Sequence, residues 1–545
     1  MKKKDQVGQH GIGGLFDAYA ELGRSTVFHL SRPFDIAPDA GTRFDVPGLA
    51  ALVEQTAGWL HAVGAGPGER IAIVKDNHWD CTLLACAAAR LGALPAMISG
   101  HLAPDALQVL LKRLDAAVLV TNERVVRRCT EAGADLSAAA RRTVCLDGGA
   151  GDAVPLTEVR GAPAPPPRFR EPDEPMVITH TSGTTGVPKL VVHSANTIVN
   201  TLGKIESIRW PVVASRRSDT VASAISFVHG RSIPWTAGTL LLEPREAVVI
   251  ADGDPAVAER IFREHPPTTC EALPTTFTRW EALVRDPAGA GPASQDTVFA
   301  QVRLYVSTFD AMHPPTIRRL LGASRRRFPA WLQGWGQSEA GPLAFRLLTR
   351  RALAKTGERH PTTRNVGRPL PVFTKLKVVD PATMRPLPAG QRGVVFAKTR
   401  GRCLSYLGEE DRWREKTDGA WWNTGDIGTR SRTGAIRLLD REVDSIPGLS
   451  CIELEDVLTD RLPRLEEVVV LGTPGRLPLP VVSTPDGRLD RAEWDAAVRD
   501  LPPLADPVCV TWDEIPRTGT GKVRRGELRT RFLDDADTFG TGRWT

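Results

Sequence analysis

The sequence lacks several features that would place the protein in a specialised structural class. It has no uninterrupted apolar run of the roughly 18 residues that a membrane-spanning helix requires, so no membrane contact is predicted. The basic opening MKKKDQVGQH leads into GIGGLFDAYAELGRS, which lacks the continuous apolar segment and small-residue cleavage pattern of a secretory signal peptide. A cytoplasmic location is therefore expected.

Cysteine pairs of the kind that hold zinc or build a disulfide framework are also missing. The eight cysteines are scattered, with no CxxC pair and no regular spacing. We predict small buried apolar residues in a reducing compartment, although the even number leaves a structural disulfide open. These cysteines are Cys81, Cys86, Cys129, Cys145, Cys270, Cys403, Cys451 and Cys509.

The chain has no large excess of charge of either sign. Its net charge of +6 is the small difference between 70 basic and 64 acidic residues. Local basic runs, such as Arg325 to Arg327, are typical of solvated faces, and no zinc-finger or RNA-recognition signature accompanies them. No nucleic-acid partner is predicted.

What the sequence does contain is an alternation of strand-like and helix-like segments. RIAIVK, LPAMIS and AAVLVT are typical of strands, and WDCTLLACAAARLGA and APDALQVLLKRLD between them are typical of helices. This alternation predicts a parallel sheet covered by helices. Further on, TKLKVVD, GVVFAKT and AIRLLD indicate a β-rich subdomain, and helices and strands mix again after Arg441.

The length of 545 residues exceeds the roughly 250 to 300 residues at which single cores stop growing. We therefore predict an α/β fold of two domains. The large N-terminal domain, residues 1–441, contains helix-covered β-sheets and the β-rich subdomain, and the small C-terminal domain, residues 442–545, is α+β.

A loop of small residues follows the apolar segment MVITH. It runs TSGTTGVPK from Thr181 to Lys189. Small residues let backbone amides approach a triphosphate, the hydroxyls donate further hydrogen bonds, and Lys189 adds positive charge. The spacing differs from that of the GxxxxGK[ST] P-loop. The order of residues favours a phosphate-binding loop, and a flexible Ser/Thr/Gly hairpin is the alternative.

This loop resembles the phosphate-loop signature of the adenylate-forming superfamily, which comprises acyl-CoA synthetases, nonribosomal peptide synthetase adenylation domains and beetle luciferases. Other motifs of that family follow in family order to the end of the chain. GWGQSEAG (334–341) resembles its aromatic-Gly-x-Thr-Glu motif and WWNTGDIG (421–428) its TGD motif. DREVD (440–444) resembles its hinge, and PRTGTGKVRR (516–525) its C-terminal lysine loop.

The resemblance implies ATP and Mg²⁺ as cofactors. Glu339 stands where the family binds Mg²⁺, which needs few protein carboxylates besides phosphate and water oxygens. Asp426 resembles the carboxylate that holds the ribose hydroxyls, Arg441 is expected to reach ribose or phosphate, and Trp335 offers adenine an aromatic face. A solvent-facing turn is the alternative for both carboxylates. The implied nucleotide contacts are Thr181, Ser182, Gly183, Thr184, Thr185, Gly186, Lys189, Asp310, Gly334, Trp335, Gly336, Ser338, Asp426, Arg441 and Lys522.

Lys522 is the main predicted catalytic residue, and Thr184 and Glu339 are also assigned to catalysis by resemblance. Attack of an anion on the α-phosphorus brings two anions together, so a movable ammonium that contacts both lowers the barrier. Gly519 and Gly521 precede this lysine and are expected to keep its loop mobile. The resemblance further implies a mobile C-terminal domain that rotates about the hinge to admit an acceptor. A basic surface loop is the alternative interpretation of this segment.

Four residues are predicted to contact the substrate: His229, Phe227, Thr308 and Phe309. SFVHGRS (226–232) resembles the family motif with a pocket histidine, although a packed core histidine is the alternative for His229. VSTFDAMHPP (306–315) replaces two family glycines by Thr308 and Phe309 and introduces Asp310, so altered pocket walls are expected. Aromatic candidates in this region favour a planar aromatic substrate, although they are equally consistent with core packing: Phe227, Trp235, Phe309 and Trp335.

The acceptor side departs from the family pattern. Pro447 stands near the place of a lysine in the loop that assists thioester formation, and Leu190 replaces the glycine after Lys189. One hypothesis is an acid:thiol ligase that uses coenzyme A or a carrier protein. A second is an adenylating enzyme with an unusual acceptor, either an amide-forming ligase or a diazotase that joins nitrite to an aromatic amine. A third, a non-catalytic nucleotide sensor, conflicts with the presence of Lys522 and Glu339. The expected small-molecule partner is an acid or an amine.

Overall fold

The structure is a computed structural model that describes residues 10–149, 151–183, 187–284, 297–442, 449–472, 475–518 and 521–534. Three β-sheets of fourteen, eight and three strands form its frame. The predicted α/β class is therefore confirmed. The strands are β1 (Val27–Leu30), β2 (Arg43–Phe44), β3 (Arg70–Lys75), β4 (Leu94–Ser99), β5 (Ala116–Thr121), β6 (Ala140–Cys145), β7 (Val154–Pro155), β8 (Pro175–His180), β9 (Leu190–Ser194), β10 (Thr220–Ala224), β11 (Glu246–Val249), β12 (Thr269–Ala272), β13 (Leu304–Ser307), β14 (Ala330–Gln337), β15 (Gly341–Thr349), β16 (Asn365–Pro369), β17 (Thr374–Val379), β18 (Arg392–Thr399), β19 (Ser405–Tyr406), β20 (Thr417–Asp418), β21 (Trp421–Arg430), β22 (Ile436–Arg441), β23 (Glu467–Leu471), β24 (Leu479–Ser483) and β25 (Val508–Val510).

Helices connect most of the parallel strands, and local sequence signals fix several of their ends. The second helix begins after Asp45, whose side chain accepts a hydrogen bond from the Gly48 amide, and the helix before β12 begins in the same way after Asp254. The helices are α1 (Leu15–Glu21), α2 (Val46–Ala62), α3 (Asp80–Arg90), α4 (Pro104–Leu114), α5 (Glu123–Glu131), α6 (Leu156–Val159), α7 (Ala195–Thr197), α8 (Lys204–Ser207), α9 (Ser232–Leu242), α10 (Pro255–Glu264), α11 (Pro274–Trp280), α12 (Pro314–Ala323), α13 (Glu410–Glu415), α14 (Cys451–Arg461), α15 (Arg491–Val498) and α16 (Arg525–Arg529).

The eight-stranded sheet has the order β19-β9-β8-β4-β3-β5-β6-β7. Strands β3 to β8 run parallel, with α3 and α4 between consecutive strands, as the alternating pattern predicts. Strand β9 returns antiparallel to β8 and pairs His180 with Leu190. The predicted phosphate loop, residues 181–189, therefore lies in the sequence between the two paired strands of this β8–β9 hairpin.

The fourteen-stranded sheet joins a parallel half to an antiparallel half. Its order is β17-β18-β21-β22-β16-β15-β14-β13-β12-β10-β11-β1-β2, with β20 paired to β21. The strands from β14 to β1 along this order are parallel, and those from β15 to β17 are antiparallel, which forms the predicted β-rich region. Ligand sites of parallel sheets lie beyond the carboxyl ends of the strands, where β13 and β14 here end.

A large apolar core packs the two sheets together through α1, α2, α3 and α9. Trp79 is fully buried in it, stacks on Phe28 with ring centroids 4.7 Å apart, and donates its indole N–H to Thr236 Oγ1 at 2.9 Å. All eight cysteines are buried, which confirms the prediction of burial. Across the described ranges, every helix is too short or too polar to cross a bilayer.

The described residues 449–534, here called the C-terminal unit, contain the three-stranded sheet β23-β24-β25 together with α14, α15 and α16. Two apolar clusters, one around Leu458 and one around Leu528, form its own core. Residues 443–448, which include the last two residues of the predicted hinge and Pro447, lie outside the described residues. The predicted domain boundary at 441 stays a prediction.

Candidate active site

The ends of the phosphate loop are held together by the β8–β9 hairpin. The Thr181 amide donates to the Lys189 carbonyl at 3.0 Å, and the Lys189 amide donates to Thr181 Oγ1 at 3.0 Å. Ser182 and Gly183 continue from Thr181 and line a large cavity, and Gly183 has a φ of 68°. Three predicted loop residues lie outside the described residues: Thr184, Thr185 and Gly186.

Glu339 lies next to this hairpin and is 8% exposed. The Tyr406 hydroxyl donates to Glu339 Oε1 at 2.6 Å, and Lys189 Nζ lies 5.3 Å from the centre of the Tyr406 ring. Burial lowers the pKa of Lys189, while the charge of Glu339 opposes that shift. Burial, together with the neighbouring carboxylate, raises the pKa of Tyr406, so this hydroxyl remains a donor at physiological pH.

Glu339 fits the magnesium role that the sequence predicts. Mg²⁺ prefers oxygen ligands and usually keeps waters and substrate phosphates, so one carboxylate is an adequate protein ligand. Tyr406 fixes the orientation of that carboxylate through one oxygen. The donor set therefore consists of a single buried, oriented carboxylate beside the β8–β9 hairpin, whose two strands flank the phosphate loop.

Asp426 on β21 is the centre of a hydrogen-bonded group. Its Oδ2 accepts from Trp335 Nε1 at 3.2 Å and from Gln337 Nε2 at 3.1 Å, and its Oδ1 accepts from Arg441 Nη1 at 3.1 Å. Asp426 and Arg441 are also register partners on neighbouring strands. Asp426, Trp335 and Arg441 line one wall of the large cavity, with Trp335 9% exposed and the Arg441 side chain 49% exposed.

Glycine is required where β14 ends. A Cβ on Gly336 would lie 2.3 Å from the Gly341 carbonyl oxygen, and a Cβ on Gly334 would lie 2.8 Å from the Phe345 ring. The register between β14 and β15 shifts between Trp335 and Gly336. The absence of side chains at these two positions lets the chain turn and presents Trp335 to the cavity.

Two neutral histidines hold Ser338 in place. His229 Nδ1 accepts the Arg231 amide at 3.1 Å, so the His229 proton is on Nε2, which donates to Ser338 Oγ at 3.0 Å. His193 Nε2 donates to the Ser338 carbonyl at 2.9 Å. Burial lowers the pKa of His229 to about 3 and that of His193 to about 4. Because Ser338 Oγ accepts from His229, its own O–H is directed elsewhere and is available to a ligand.

The segment that replaces two family glycines keeps a glycine-like backbone. Phe309 has a φ of 79°, a left-handed conformation that strains a non-glycine residue. Its ring lies 4.7 Å from the His229 ring centre and lines the cavity. Thr308 Oγ1 is buried and has no hydrogen-bond partner in the described part of the chain. Asp310 is exposed and accepts from the Ala311 amide at 2.9 Å.

Phe227 occupies a different position from the other predicted substrate contacts. It is fully buried in the central core, its amide donates to Asn77 Oδ1 at 2.7 Å, and its ring packs edge-on against Trp235. It lines neither of the two cavities of the site. This position gives Phe227 a packing role beneath the pocket wall, to which Trp235 contributes directly.

Lys522 reaches the site from the C-terminal unit. Its loop is closed by hydrogen bonds between Thr518 and Lys522 and has a φ of 77° at Gly521. A Cβ at Gly521 would lie 2.4 Å from Thr275 Oγ1, so the loop rests directly on the start of α11. The charge of Lys522 contributes to the low pKa of His229, after burial and His180. Gly519 lies outside the described residues.

Two cavities meet at Lys522. The larger one, here called the nucleotide cavity, has a volume of about 1180 Å³, and its lining includes Ser182, Asp310, Asp426 and Arg441. The smaller one, here called the ring cavity, has a volume of about 380 Å³, and its lining includes His229, Thr308 and Ser338. Both cavities are lined by Ser182, Phe309, Gly334, Trp335, Gly336 and Lys522.

Comparison with known proteins identifies this arrangement. The family model described as AMP-binding enzyme matches residues 31–407. The chain belongs to the AMP-binding enzyme family. A diazotase acting on 3-amino-2-hydroxy-4-methoxybenzoate from Streptomyces cremeus is 40% identical over 542 residues, which cover 95% of this chain and 94% of the relative. A 3-aminoavenalumate diazotase from a Streptomyces species is 25% identical and covers 91% of each chain.

The fold is shared with solved structures of this family as well. A benzoate CoA ligase from Burkholderia xenovorans LB400 superimposes with a TM-score of 0.76 at 20% identity, over 95% of this chain and 99% of that one. The protein is thus an ATP-using, adenylate-forming enzyme, as the order of motifs predicts.

Sequence reasoning missed several residues of this AMP-binding site. Tyr406 orients Glu339, and His193 holds the Ser338 carbonyl. Neither Tyr406 nor His193 was assigned a role by the family motifs. It also missed a charged cluster on the wall of the ring cavity. Arg231 was visible within SFVHGRS, two positions after His229, and this was the one available signal. The members of this cluster are Glu206, Arg231 and Glu271.

Proposed function

We propose that this enzyme is an ATP-dependent diazotase that activates nitrite as a nitrosyl adenylate and transfers the nitrosyl unit to an aromatic amine. The observation that carries the proposal is the 40% identity with a diazotase along nearly the whole chain. The departures at Leu190 and Pro447, where thioester-forming relatives differ, favour an acceptor other than coenzyme A.

The chemistry takes place in two balanced steps. A nitrite oxygen attacks the α-phosphorus of ATP, and the bond to the bridging oxygen breaks, so pyrophosphate leaves. The amine nitrogen then attacks the nitrosyl nitrogen, the N–O bond breaks, and AMP leaves with the electron pair. Loss of a proton gives an N-nitrosamine, and a proton shift within it gives a diazohydroxide. Protonation of the diazohydroxide oxygen and loss of water then give the diazonium ion. One nitrite oxygen ends in AMP and the other in water, and no redox partner is needed.

The junction of the two cavities suits this sequence of steps. Lys522 lines both cavities and supplies a positive charge where two anions must approach each other. The Ser338 O–H, oriented through the neutral His229, is available to donate to an oxygen of the nitrite or of its adenylate. Mg²⁺, when bound by Glu339, supplies charge neutralisation for the phosphates.

The walls of the nucleotide cavity provide the remaining roles. We assign Asp426 and Arg441 to the ribose side, with Trp335 as the surface for adenine. The phosphate loop, including Thr184, keeps the role that the resemblance implies. Asp310 lies at the rim of this cavity. The C-terminal domain 442–545 carries Lys522 and, by resemblance, rotates between the steps.

The test measures which substrates release AMP. We expect AMP release from ATP that requires both nitrite and an aromatic amine and does not change with coenzyme A. The diazonium product is trapped as a coloured azo compound. With nitrite labelled in both oxygens, one heavy oxygen is expected in AMP. AMP release with an aryl acid and coenzyme A in the absence of nitrite would instead identify an acid:thiol ligase and overturn the proposal.

A further inference from the structure

The ring cavity contains a partly buried charged cluster that the proposed reaction does not use. Arg231 Nε lies 2.8 Å from Glu271 Oε1, and its Nη2 lies 2.9 Å from Glu271 Oε2, which is a bidentate pair. Arg231 Nη2 also donates to Glu206 Oε2 at 3.2 Å. The side chains are 16% exposed for Arg231, 4% for Glu271 and 25% for Glu206. We call these three residues the Glu–Arg–Glu cluster.

The cluster lies away from the junction where the reactants meet. Its members line the ring cavity but not the nucleotide cavity, whereas Lys522 and Phe309 line both. Aromatic and aliphatic side chains form much of the surrounding wall, among them Trp210 and Trp235. The volume of about 380 Å³ is near the lower end of the range for small-molecule sites, which suits one substituted ring.

The charges of the cluster do not cancel. One guanidinium faces two carboxylates, and the bidentate pair with Glu271 uses two of the five N–H donors of Arg231. Arg231 Nη1 lies 3.0 Å from Glu206 Oε1 but makes no well-aligned hydrogen bond to any described residue. Glu206 is therefore attracted to Arg231 without being fully saturated, and it is the member with the largest exposure to the cavity.

This arrangement favours one class of ligand group. A partly buried carboxylate with spare acceptor capacity is stabilised by a hydrogen-bond donor. A carboxylate on the ligand would place a third negative charge beside one guanidinium, and an alkyl group would leave Glu206 unsatisfied. We propose that Glu206, held by Arg231 and Glu271, accepts a hydrogen bond from an amino or hydroxyl substituent on the aromatic ring, at a position other than the reacting amine.

The inference rests on the proposed function only in that the ring belongs to the aromatic amine substrate. Its test therefore measures binding without ATP or nitrite, and an absence of diazotase activity would leave the binding results interpretable. Quenching of tryptophan fluorescence reports ligand binding, because Trp210 and Trp235 line the cavity. The ligands are aniline, 2-aminophenol and 3-aminophenol, with 2- and 3-aminobenzoate as the carboxylate analogues.

In the wild-type enzyme we expect at least one aminophenol to bind roughly ten- to a hundredfold more tightly than aniline, the range for a hydrogen bond to a charged group. Glu206→Gln should reduce that ratio to below about threefold and should improve binding of the matching aminobenzoate, because the cluster becomes neutral. Glu259→Gln is the control, since Glu259 is exposed on α10 and pairs only with the exposed Arg263 among the described contacts.

Two results would overturn the proposal. The first is equal affinity of the wild-type enzyme for aniline and for both aminophenols, which needs no variant. The second is an aminophenol-to-aniline ratio in Glu206→Gln that equals the ratio in the wild type. If Glu206→Gln does not fold, the wild-type series decides alone, because preference for an aminobenzoate over both aminophenols contradicts an acceptor at this position.

Discussion

Asp456 makes the most sharply testable contact between the C-terminal unit and the rest of the chain. It is fully buried on α14, its Oδ1 accepts from His313 Nδ1 at 2.8 Å, and its Oδ2 accepts from Arg364 Nε at 2.6 Å and from the Thr363 hydroxyl. His313 Nε2 also lies 3.5 Å from Glu467. This contact fixes the C-terminal unit, and with it the lysine loop, against the larger part of the protein.

The charges of the contact determine its pH dependence. Burial alone would lower the pKa of His313, but hydrogen bonds and charges from Asp456 and Glu467 outweigh it and raise the pKa to about 10. A raised pKa in the folded state gives stability that is complete below the ordinary value of 6.5. That stability declines as the pH rises above 6.5 and is lost as the pH passes through about 10.

Asp456→Asn keeps the shape of the side chain and removes its charge. Removing one partner of a buried ion pair costs about 3 to 5 kcal/mol, because His313 and Arg364 remain buried without this counter-charge. We expect a free energy of unfolding lower by that amount near pH 6. The pKa of His313 should fall, so the loss of stability between neutral and alkaline pH should become smaller than in the wild type.

The assay is denaturant unfolding at about pH 6 and about pH 9, combined with hydrogen exchange of α14. Asp495→Asn is the matched control, because Asp495 is 55% exposed and its pair with Arg491 is at the surface. A change below about 0.5 kcal/mol is expected for this control. Equal effects of Asp456→Asn and Asp495→Asn, with the same pH dependence as the wild type, would refute the reasoning.

Three further predictions concern the active site. Lys522→Ala should slow formation of the adenylate by at least about a hundredfold, while ATP binding, measured by equilibrium dialysis, stays nearly constant. An unchanged rate of adenylate formation would show that Lys522 is not catalytic. Ser338→Ala should slow adenylate formation roughly tenfold, because His229 loses its hydrogen-bond acceptor. Ser338→Thr keeps a hydroxyl and should restore part of the rate. Equal rates for the two variants would contradict a role of the hydroxyl. Tyr406→Phe should weaken Mg²⁺ activation by roughly tenfold in a titration of activity, because Glu339 loses its orienting bond; an unchanged Mg²⁺ dependence contradicts that role.

Much of the fold could be predicted because its signals are local. The alternation of RIAIVK, LPAMIS and AAVLVT with two helical segments appears in the structure as β3, β4 and β5 with α3 and α4 between them. The burial of the cysteines followed from their apolar character and scattered spacing. The order of sheet strands did not follow, because pairing such as β1 with β11 and β22 with β16 depends on contacts between distant segments.

The candidate site was only partly predictable. Motifs pointed to Glu339, Asp426 and Lys522, because each stands in a short run of distinctive residues. Phe227 was assigned to substrate contact from its neighbourhood in sequence, but the turn after β10 in which it lies directs its ring into the core. Sequence distance says nothing about which face a side chain takes at such a turn.

The sequence by itself determined the family, the chemistry of ATP activation and the segments that carry it, because these depend on short ordered motifs. Only the tertiary structure decided the neutral state of His229, since that depends on burial and on the Arg231 amide. It also decided the Glu–Arg–Glu cluster, whose members come from α8, the start of α9 and β12. Ion pairs of this kind form between residues that the chain brings together only after it folds, so no local pattern encodes them.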